Sequence, residues 1–512
     1  MYREERQFTG LRSIFWPIHR HENRMVLPMF LMLLFIAFNY SILRNMKDAL
    51  VVTAKSSGAE VIPFIKVWAM LPMAVLMTLI YTKLASRYSQ EKVFYILITG
   101  FLSFFALFLF VLYPNQDTLH LHATAEALDS ILPSGFHWLV TMMRNWTFTG
   151  LYVMSELWGC IILTVLFWGF ANEVTRIGDA RRFYAVLSVG GNLAAVLAGQ
   201  VPTLIIQAEI GDSVYILMML VLVAGVCTMA IFRWMNIYVL NDAKYDVLHG
   251  RKRVAPGTPR QKLSMRESLL QLANSKHLLC IAALVVGYNL VINLVEVVWK
   301  DQLKQLYPSF ADYNAYLGNV TTSIGIFSTM LAIFLPFLIR RIGWTGTALI
   351  TPMTILVSGI AFFLLLFFKD FLPAGSLLFG TAPLTAIVFI GAAQNCLSKG
   401  CKYSVFDATK EMAFIPLDHN FKLKGKAAID GVGSRFGKSG GSLLHQGLLM
   451  IFATLSGSAP YVAAILLIVI VAWIFAVRAL GIQLHELVAD QGERIGDEVE
   501  PEPTPATAAA HG

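Results

Sequence analysis

Residues 25–43, MVLPMFLMLLFIAFNYSIL, form an uninterrupted apolar stretch that decides what kind of fold the chain adopts. A helix rises about 1.5 Å per residue, so about 19 residues cross the roughly 30 Å hydrocarbon core of a membrane. Blocks of similar length recur along the whole chain. A transmembrane β-barrel would show alternating segments of about ten residues instead. The sequence therefore predicts an all-α, polytopic membrane protein.

The composition supports this class. Of the 512 residues, 56% are hydrophobic and 14% are charged, whereas soluble domains carry about 25% charged residues. This difference argues against a soluble enzyme, a disordered scaffold and a nucleic-acid-binding module. The five cysteines lie in or at the ends of apolar blocks without metal-ligand spacing, which indicates small core residues rather than disulfides.

The apolar blocks predict twelve transmembrane helices. Most of the 40 Lys and Arg residues lie between them on the side of the N-terminus, and this bias predicts that both termini are cytoplasmic. The net charge of +8 therefore reflects topology and does not indicate a nucleic-acid partner. The predicted spans are residues 25–43, 61–84, 93–112, 149–172, 183–206, 214–232, 277–298, 316–339, 347–368, 378–397, 427–454 and 461–477.

The spans fall into two groups of six around a long basic segment. Polybasic loops of this kind contact anionic lipid headgroups, so we expect membrane lipids as partners. The predicted organisation is a cytoplasmic N-terminal segment (1–24), a six-helix bundle (25–240), a basic cytoplasmic linker (241–276), a second six-helix bundle (277–482) and a disordered cytoplasmic tail (483–512).

A short repeat relates the two groups. Lys47-Asp48-x-Leu50 follows the first span, and Lys300-Asp301-x-Leu303 follows the seventh. Two related six-helix halves joined by a basic loop are typical of a transporter of the major-facilitator type, whose substrate site lies between the halves near the midplane.

Charged residues inside spans are the strongest functional signal, because each costs about 2.5–3.5 kcal/mol at the bilayer centre. They are Lys66, Glu156, Glu296 and Lys438, with Arg435 one turn before Lys438. We expect Lys438, which stands near the midplane among Gly and Ser residues, to contact substrate. The alternative is that the Gly and Ser residues only pack span eleven against a neighbouring helix while Lys438 pairs with a buried carboxylate. Structural ion pairing of Lys66 and Glu156, interfacial snorkelling of Glu296 and proton coupling through either acid stay open.

Polar residues near these charges complete the candidate site. Asn289 and Asn293 lie on one helix face with Glu296. Basic residues and an aromatic residue at the outer mouth are candidates for an anion-attracting funnel, although aromatic residues there also form interfacial belts. After span ten, a charged segment is a candidate inner gate, with a structural amphipathic turn as the alternative. The outer-mouth candidates are Arg44, Lys47, Arg144 and Trp146, and the inner-gate candidates are Lys402, Asp407, Lys410 and Glu411.

Several enzyme signatures are missing from the sequence. Gly433-x-x-x-Gly437-Lys438-Ser439 has three residues between its glycines, whereas a phosphate-binding loop needs four and a preceding strand. The alternating histidines, such as His120 and His122, have no further ligands nearby. We therefore expect no ATP hydrolysis, no metal and no cofactor.

Seven ordered motifs between about residues 25 and 485 resemble the nucleotide transporter family, the ATP/ADP translocases of obligate intracellular bacteria and plastids. The motifs are LRNMKDALVVTAKSSGAEVIPFIKVWAMLP, SELWG, FWGFANEVT, GGNLA, NLVEVVWK, KYSVFDATKEMAFIPLD and KGKAAIDGVGSRFGKSGG.

The resemblance implies a secondary transporter in the bacterial inner membrane. It would import host ATP in exchange for ADP, by alternating access and without hydrolysis, as a monomer. The charged residues on which this family relies match Lys66, Glu156, Glu296 and Lys438. Some members carry phosphate with ADP. Proton-coupled transport, or transport of a broader range of nucleotides on the same scaffold, is the alternative.

Overall fold

A computed structural model describes residues 18–19, 21–175, 177–240, 275–371, 382–415 and 433–498, together with residues 417, 425 and 429. Over these ranges the chain is helical and contains no β-strand. The predicted linker is outside the described residues from 241 to 274, as are residues 1–17 and 499–512. The long helices of the first half are α1 (Asn23–Thr53), α2 (Val61–Arg87), α3 (Gln90–Leu112), α4 (Trp146–Val174), α5 (Ile177–Gln207) and α6 (Ser213–Leu240).

The second half begins with α7 (Lys276–Leu306). The following segment, Phe310–Phe368, breaks at Gly343, whose φ of 70° places it in the left-handed region that favours glycine. We call the parts before and after this break α8 and α9. The break coincides with the predicted turn between spans eight and nine, and without it a straight helix would be about three membrane cores long. The remaining helices are α10 (Pro383–Cys401), α11 (Ser434–Phe452) and α12 (Leu455–Glu498).

The all-α, polytopic prediction is confirmed. Within the described ranges, nine helical segments are long and apolar enough to cross a membrane, and one of them contains both α8 and α9. The helices α10 and α11 occupy the positions predicted for spans ten and eleven without meeting the same criterion, so the count of twelve spans stays a prediction. The helix α12 continues to Glu498, well beyond the boundary predicted at residue 482.

Polar side chains cap the N-termini of several helices, just before the apolar blocks begin. The Asp212 carboxylate accepts a hydrogen bond from the Val214 backbone at 2.8 Å at the start of α6. Ser275 and Ser309 accept equivalent bonds at the starts of α7 and α8. Such caps satisfy backbone N–H groups that have no partner within the helix.

The two halves are packed in related ways. The helix α1 packs against α5 and α6, and α7 packs against α11 and α12. The helix α5 crosses α8 between the halves, and Gly199 and Gly318 meet at the crossing. A β-carbon added to either glycine would collide with the carbonyl oxygen of the other. The absence of side chains at both positions therefore allows the two backbones to touch.

This close approach predicts that Gly199→Val destabilises the packing of the two halves. Overpacking of a tight contact costs about 1–3 kcal/mol, so the thermal unfolding midpoint in detergent should fall by several degrees. Gly191→Val, on the same helix, is the matched control because nothing lies within 4 Å of a β-carbon there. Equal midpoints for the two variants would contradict the prediction.

Candidate functional site

Contacts between the halves concentrate at one end of the bundle, where α1 and α7 end and α2 begins. Asp48 Oδ2 lies 2.7 Å from Lys300 Nζ, and Asn45 Nδ2 donates to Thr321 Oγ1 at 3.0 Å. The Lys304 ammonium group also donates to the Ser57 carbonyl. We call this end the closed end.

A loop segment covers part of the closed end. The segment 113–145 contains three short helices, Gln116–Leu119, His122–Ile131 and His137–Arg144. It reaches the second half at α11, since Trp138 Nε1 donates to the Ala453 carbonyl at 3.2 Å. A β-carbon at Gly135 would lie 3.2 Å from the Met450 carbonyl oxygen. This loop therefore helps to hold the two halves together.

The candidate site is accessible from the opposite end. The part of α2 that leads there, Leu71–Arg87, contains no buried residue. Lys438 is exposed, yet it acts electrostatically on Glu156 of the other half, so its side chain faces the space between the halves rather than lipid. The side chains of Glu156 and Glu296 are 28% and 19% exposed. Among the described residues, the halves are thus joined at the closed end, and the charged groups between them stay partly exposed toward the opposite end.

Lys66 reaches across to the second half from an irregular part of α2. It lies in the π-helical turn Ile65–Met70, a distortion that often occurs at functional sites. Lys66 Nζ donates to Asn293 Oδ1 at 2.5 Å. Asn293 Nδ2 in turn donates to the Lys438 carbonyl at 2.8 Å and to Ser442 Oγ at 3.0 Å. The Asn293 amide is therefore fully used in joining α2, α7 and α11.

Glu156 lies just before a second π-helical segment, Trp158–Phe167. Its Oε1 atom is 3.0 Å from Lys47 Nζ. The same ammonium group lies 2.7 Å from Asp48 Oδ1 and 3.7 Å from the centre of the Tyr152 ring. Lys47, predicted as an outer-mouth residue, is thus buried and bridges two carboxylates.

Glu296 is shared by two lysines. Its Oε1 atom lies 2.8 Å from Lys300 Nζ on the next turn of α7 and 3.1 Å from Lys399 Nζ on α10. Both lysines are buried. The carboxylate therefore stabilises α10 against α7, and it does not simply extend toward the membrane interface.

Small residues around Lys438 bring α11 close to α7. A β-carbon at Gly437 would lie 2.8 Å from the Asn289 β-carbon, and one at Gly441 would lie 3.0 Å from Asn293 Nδ2. Close packing thus explains these glycines. Among the described residues no hydrogen bond or ion pair holds the Lys438 ammonium group. The side chain of Arg435 lies outside the described residues.

The other outer-mouth candidates have different surroundings. Arg44 stands among Tyr403, Tyr40 and Glu296, the groups with which its charge interacts, and the described residues provide no ion pair for it. Arg144 lies 2.8 Å from Asp129 in the covering loop. Trp146 Nε1 donates to a backbone carbonyl of the same loop at 2.8 Å. A funnel composed of all four candidates stays a prediction.

The inner-gate candidates lie on one continuous stretch that follows α10. Lys402 Nζ is 3.2 Å from Asp407 Oδ2, and Lys410 Nζ is 3.4 Å from Glu411 Oε1. Both of these ion pairs lie within the second half. Their role as a gate between the halves is therefore still a prediction.

Sequence reasoning missed three members of the site: Asp48, Lys300 and Lys399. Together with six of the predicted residues they form what we call the charge cluster, which contains six basic side chains and three carboxylates and has a formal net charge of +3. Such a surplus of positive charge between two halves suits a polyanionic ligand. Among the described residues, no group of His, Cys, Asp and Glu is arranged to hold a metal ion. The cluster consists of Arg44, Lys47, Asp48, Lys66, Glu156, Glu296, Lys300, Lys399 and Lys438.

The closed end contains a group that titrates near neutrality. Burial raises the pKa of Glu60, which immediately precedes α2, from 4.5 to about 7, and the nearby Asp301 carboxylate contributes to the increase. Lys304 and the Leu455 backbone oppose this effect. When the two halves separate at the closed end, the Glu60 carboxylate would be hydrated again and its pKa would return to its ordinary value. Closure is then most stable below pH 4.5 and loses stability as the pH rises to about 7.

We therefore expect the open form of this end to increase about tenfold or more between pH 5 and pH 8. The distance between spin labels on cysteines introduced at Ser130 and Ser456, one in each half, measures this change. Glu60→Gln should remove most of the pH dependence. An unchanged pH profile in that variant would show that another group is responsible.

Comparisons with known proteins agree with this geometry. The family described as TLC ATP/ADP transporter matches residues 1–484. The chain is 45% identical to ADP,ATP carrier protein 1 of Chlamydia pneumoniae, covering 93% of this chain and 94% of that protein. It is 40% identical to the chloroplastic ADP,ATP carrier protein 2 of Arabidopsis thaliana, covering 91% and 76%.

Solved structures support the fold. A bacterial homologue of the iron transporter ferroportin in an inward-facing state has a TM-score of 0.52 at 12% identity, covering 90% of this chain and 98% of that one. A D-xylose-proton symporter has a TM-score of 0.51 at 11% identity, covering 88% and 96%. The fold is major-facilitator-like, and the protein is an integral membrane transporter rather than an enzyme. The chain belongs to the TLC ATP/ADP transporter family.

Proposed function

We propose that the protein exchanges ATP for ADP across a bacterial inner membrane, by alternating access and without hydrolysis. The observation that carries this proposal is the net charge of +3 between the halves. Fully ionised ATP and ADP carry about four and about three negative charges. Either nucleotide can therefore compensate the surplus, and in a low-dielectric site this compensation is a large part of the binding free energy.

The same surplus gives a physical reason for obligatory exchange. Alternating access passes through a state in which both ends are closed and the site is shielded from water. With the site empty, uncompensated positive charge would be enclosed, and burying unpaired charge is strongly unfavourable. A bound nucleotide removes this barrier, so the carrier would change conformation only when loaded.

Pairing of the cluster carboxylates favours exchange over proton coupling at the charge cluster. A proton-coupled carrier needs a carboxylate that takes up and releases a proton during the cycle. Here Glu156 pairs with Lys47, Glu296 with Lys300 and Lys399, and Asp48 with two lysines. An ion-paired carboxylate favours its charged form. Proton coupling would therefore have to use Glu60 at the closed end, and it is the second candidate.

The base would stack on an aromatic residue near the cations. Tyr403 is 44% exposed, and its hydroxyl group interacts electrostatically with Arg44 and Lys438. Aromatic stacking is tolerant of the base that is bound. This contact accounts for nucleotide binding without fixing a narrow nucleotide range.

Topology gives the direction. If both termini are cytoplasmic, the closed end is outer and the site is open to the cytoplasm, where ADP would enter and ATP would leave. Every member of the charge cluster comes from one chain, so a monomer would suffice. Phosphate carried with ADP, as in some family members, would bring the bound charge closer to that of ATP.

Transport by reconstituted protein tests this proposal. Vesicles are loaded with ADP or left empty, and uptake of labelled ATP is followed with and without a pH gradient. We expect uptake at least tenfold faster into ADP-loaded vesicles, and independent of the gradient. Proton-driven uptake into empty vesicles would support the second candidate, and no nucleotide transport would reject both.

Neutralising one cation should weaken ATP binding more than ADP binding, because ATP brings one more negative charge. We expect Lys438→Gln to reduce ATP exchange at least tenfold and to lower the ratio of ATP affinity to ADP affinity. Lys438→Arg should keep most of the ATP exchange and most of the affinity ratio. The control is Lys92→Gln, because Lys92 is exposed and lies outside the cluster. Unchanged ATP uptake in Lys438→Gln would exclude its phosphate role.

A further inference from the structure

Six charged side chains of the charge cluster form a continuous series of alternating sign. Starting from Glu156, the successive distances between charged atoms are 3.0, 2.7, 2.7, 2.8 and 3.1 Å. We call this series the ion-pair chain. It runs Glu156, Lys47, Asp48, Lys300, Glu296, Lys399.

A single link of the ion-pair chain joins the two halves. The pairs Lys47–Glu156 and Lys47–Asp48 lie within the first half. The pairs made by Glu296 lie within the second. The link between Asp48 and Lys300 crosses from α1 to α7, and these residues are only 3% and 4% exposed. Separating the closed end as two rigid halves therefore breaks this link and leaves the other four intact.

The two aspartates of the sequence repeat differ in their partners, so the link between Asp48 and Lys300 is asymmetric. Lys47-Asp48 and Lys300-Asp301 occupy equivalent positions of the two halves. Asp48 takes the lysine of the other half, whereas Asp301 accepts hydrogen bonds from Gln302 at 2.9 Å and Gln305 at 3.0 Å on its own helix. Asp301 is therefore a natural control for Asp48.

Both ends of the ion-pair chain border the site where the nucleotide would bind. Glu156, at one end, and Glu296, which pairs with Lys399 at the other end, are its partly exposed members. Lys438 and Lys66 act electrostatically on Glu156. Phosphate oxygens that attract the Lys399 ammonium group would draw it away from Glu296. Lys300 would then be the remaining partner of the Glu296 carboxylate. Lys300 would then be held more strongly within its own half and less strongly by Asp48.

We propose that Asp48 and Lys300 are positioning residues that latch the closed end, and that phosphate binding at Lys399 weakens the latch through Glu296. The phosphate part of this inference rests on the proposed function. The latch itself does not require the ligand to be a nucleotide.

The test measures the distance between spin labels at Ser130→Cys and Ser456→Cys in a background without the native cysteines, first without nucleotide. We expect Asp48→Asn and Lys300→Gln each to increase the open fraction at least fivefold. The double variant should be open no more than either single variant, because either change alone already removes the one link of the chain between the halves. Asp48→Glu, which keeps the charge, should stay mostly closed.

The control is Asp301→Asn, which should not increase the open fraction, because removing this carboxylate only lessens its repulsion of Glu60. An equal shift in Asp301→Asn, no shift in Asp48→Asn, or a double variant that shows the product of the two single effects would overturn the latch. Thermal unfolding midpoints identify variants that fail to fold, and if Asp48→Asn is one of them, Lys300→Gln against Asp301→Asn remains the deciding comparison.

Adding ADP tests the coupling. In the protein with Lys300 and Lys399 intact, ADP should increase the open fraction. Lys399→Gln also leaves Glu296 to Lys300 alone, so it should raise the open fraction before ADP is added and abolish the further response to ADP. An ADP response that persists in Lys399→Gln would overturn the route through Glu296. If ADP changes nothing in the unaltered protein and vesicles show no exchange, the proposed function fails, while the distances measured without nucleotide still decide the latch.

Discussion

Charge within a membrane-spanning bundle must be neutralised, and this constraint organises the centre of the molecule. Each carboxylate of the charge cluster lies against at least one lysine, which lets three acids and their partners occupy a site that is largely shielded from water. Arg44 and Lys438 have no such partner among the described residues. The site is thus internally paired except for a positive surplus, and that surplus defines the ligand that it suits.

Local irregularities place the charged groups. Lys66 lies in a π-helical turn and Glu156 stands just before another. Such distortions often occur at functional sites, and Lys66 reaches the other half from its turn by donating to Asn293. On the second half, Gly437 and Gly441 let α11 approach α7, so that Asn293, which accepts a hydrogen bond from Lys66, also donates to the Lys438 carbonyl. Regular helices with larger residues would keep these groups apart.

Much of this site could be predicted from the sequence, because charge inside an apolar block is conspicuous. Lys66, Glu156, Glu296 and Lys438 were identified in this way, and the structure brings them into one cluster. Asp48, Lys300 and Lys399 were missed for a physical reason. Hydropathy ends the first span at residue 43 and the seventh at residue 298, but α1 continues to Thr53 and α7 to Leu306.

These missed charges are therefore buried in the bundle and not in loops. The repeated Lys-Asp pair after spans one and seven was a visible signal of their importance. Which of the two aspartates forms the ion pair between the halves depends on how α1 faces α7. Periodicity within one helix carries no information on how two helices face each other. Periodicity also could not identify Asp129 as the partner of Arg144, because Asp129 lies in the covering loop.

Binding of adenosine, AMP, ADP and ATP to the purified protein tests most directly whether phosphate charge compensates the cluster. Calorimetry at constant ionic strength gives the four affinities. The account predicts that affinity rises steeply with the number of phosphates, by about tenfold or more from AMP to ADP, and that added salt reduces the difference. Adenosine binding as tightly as ADP would contradict it.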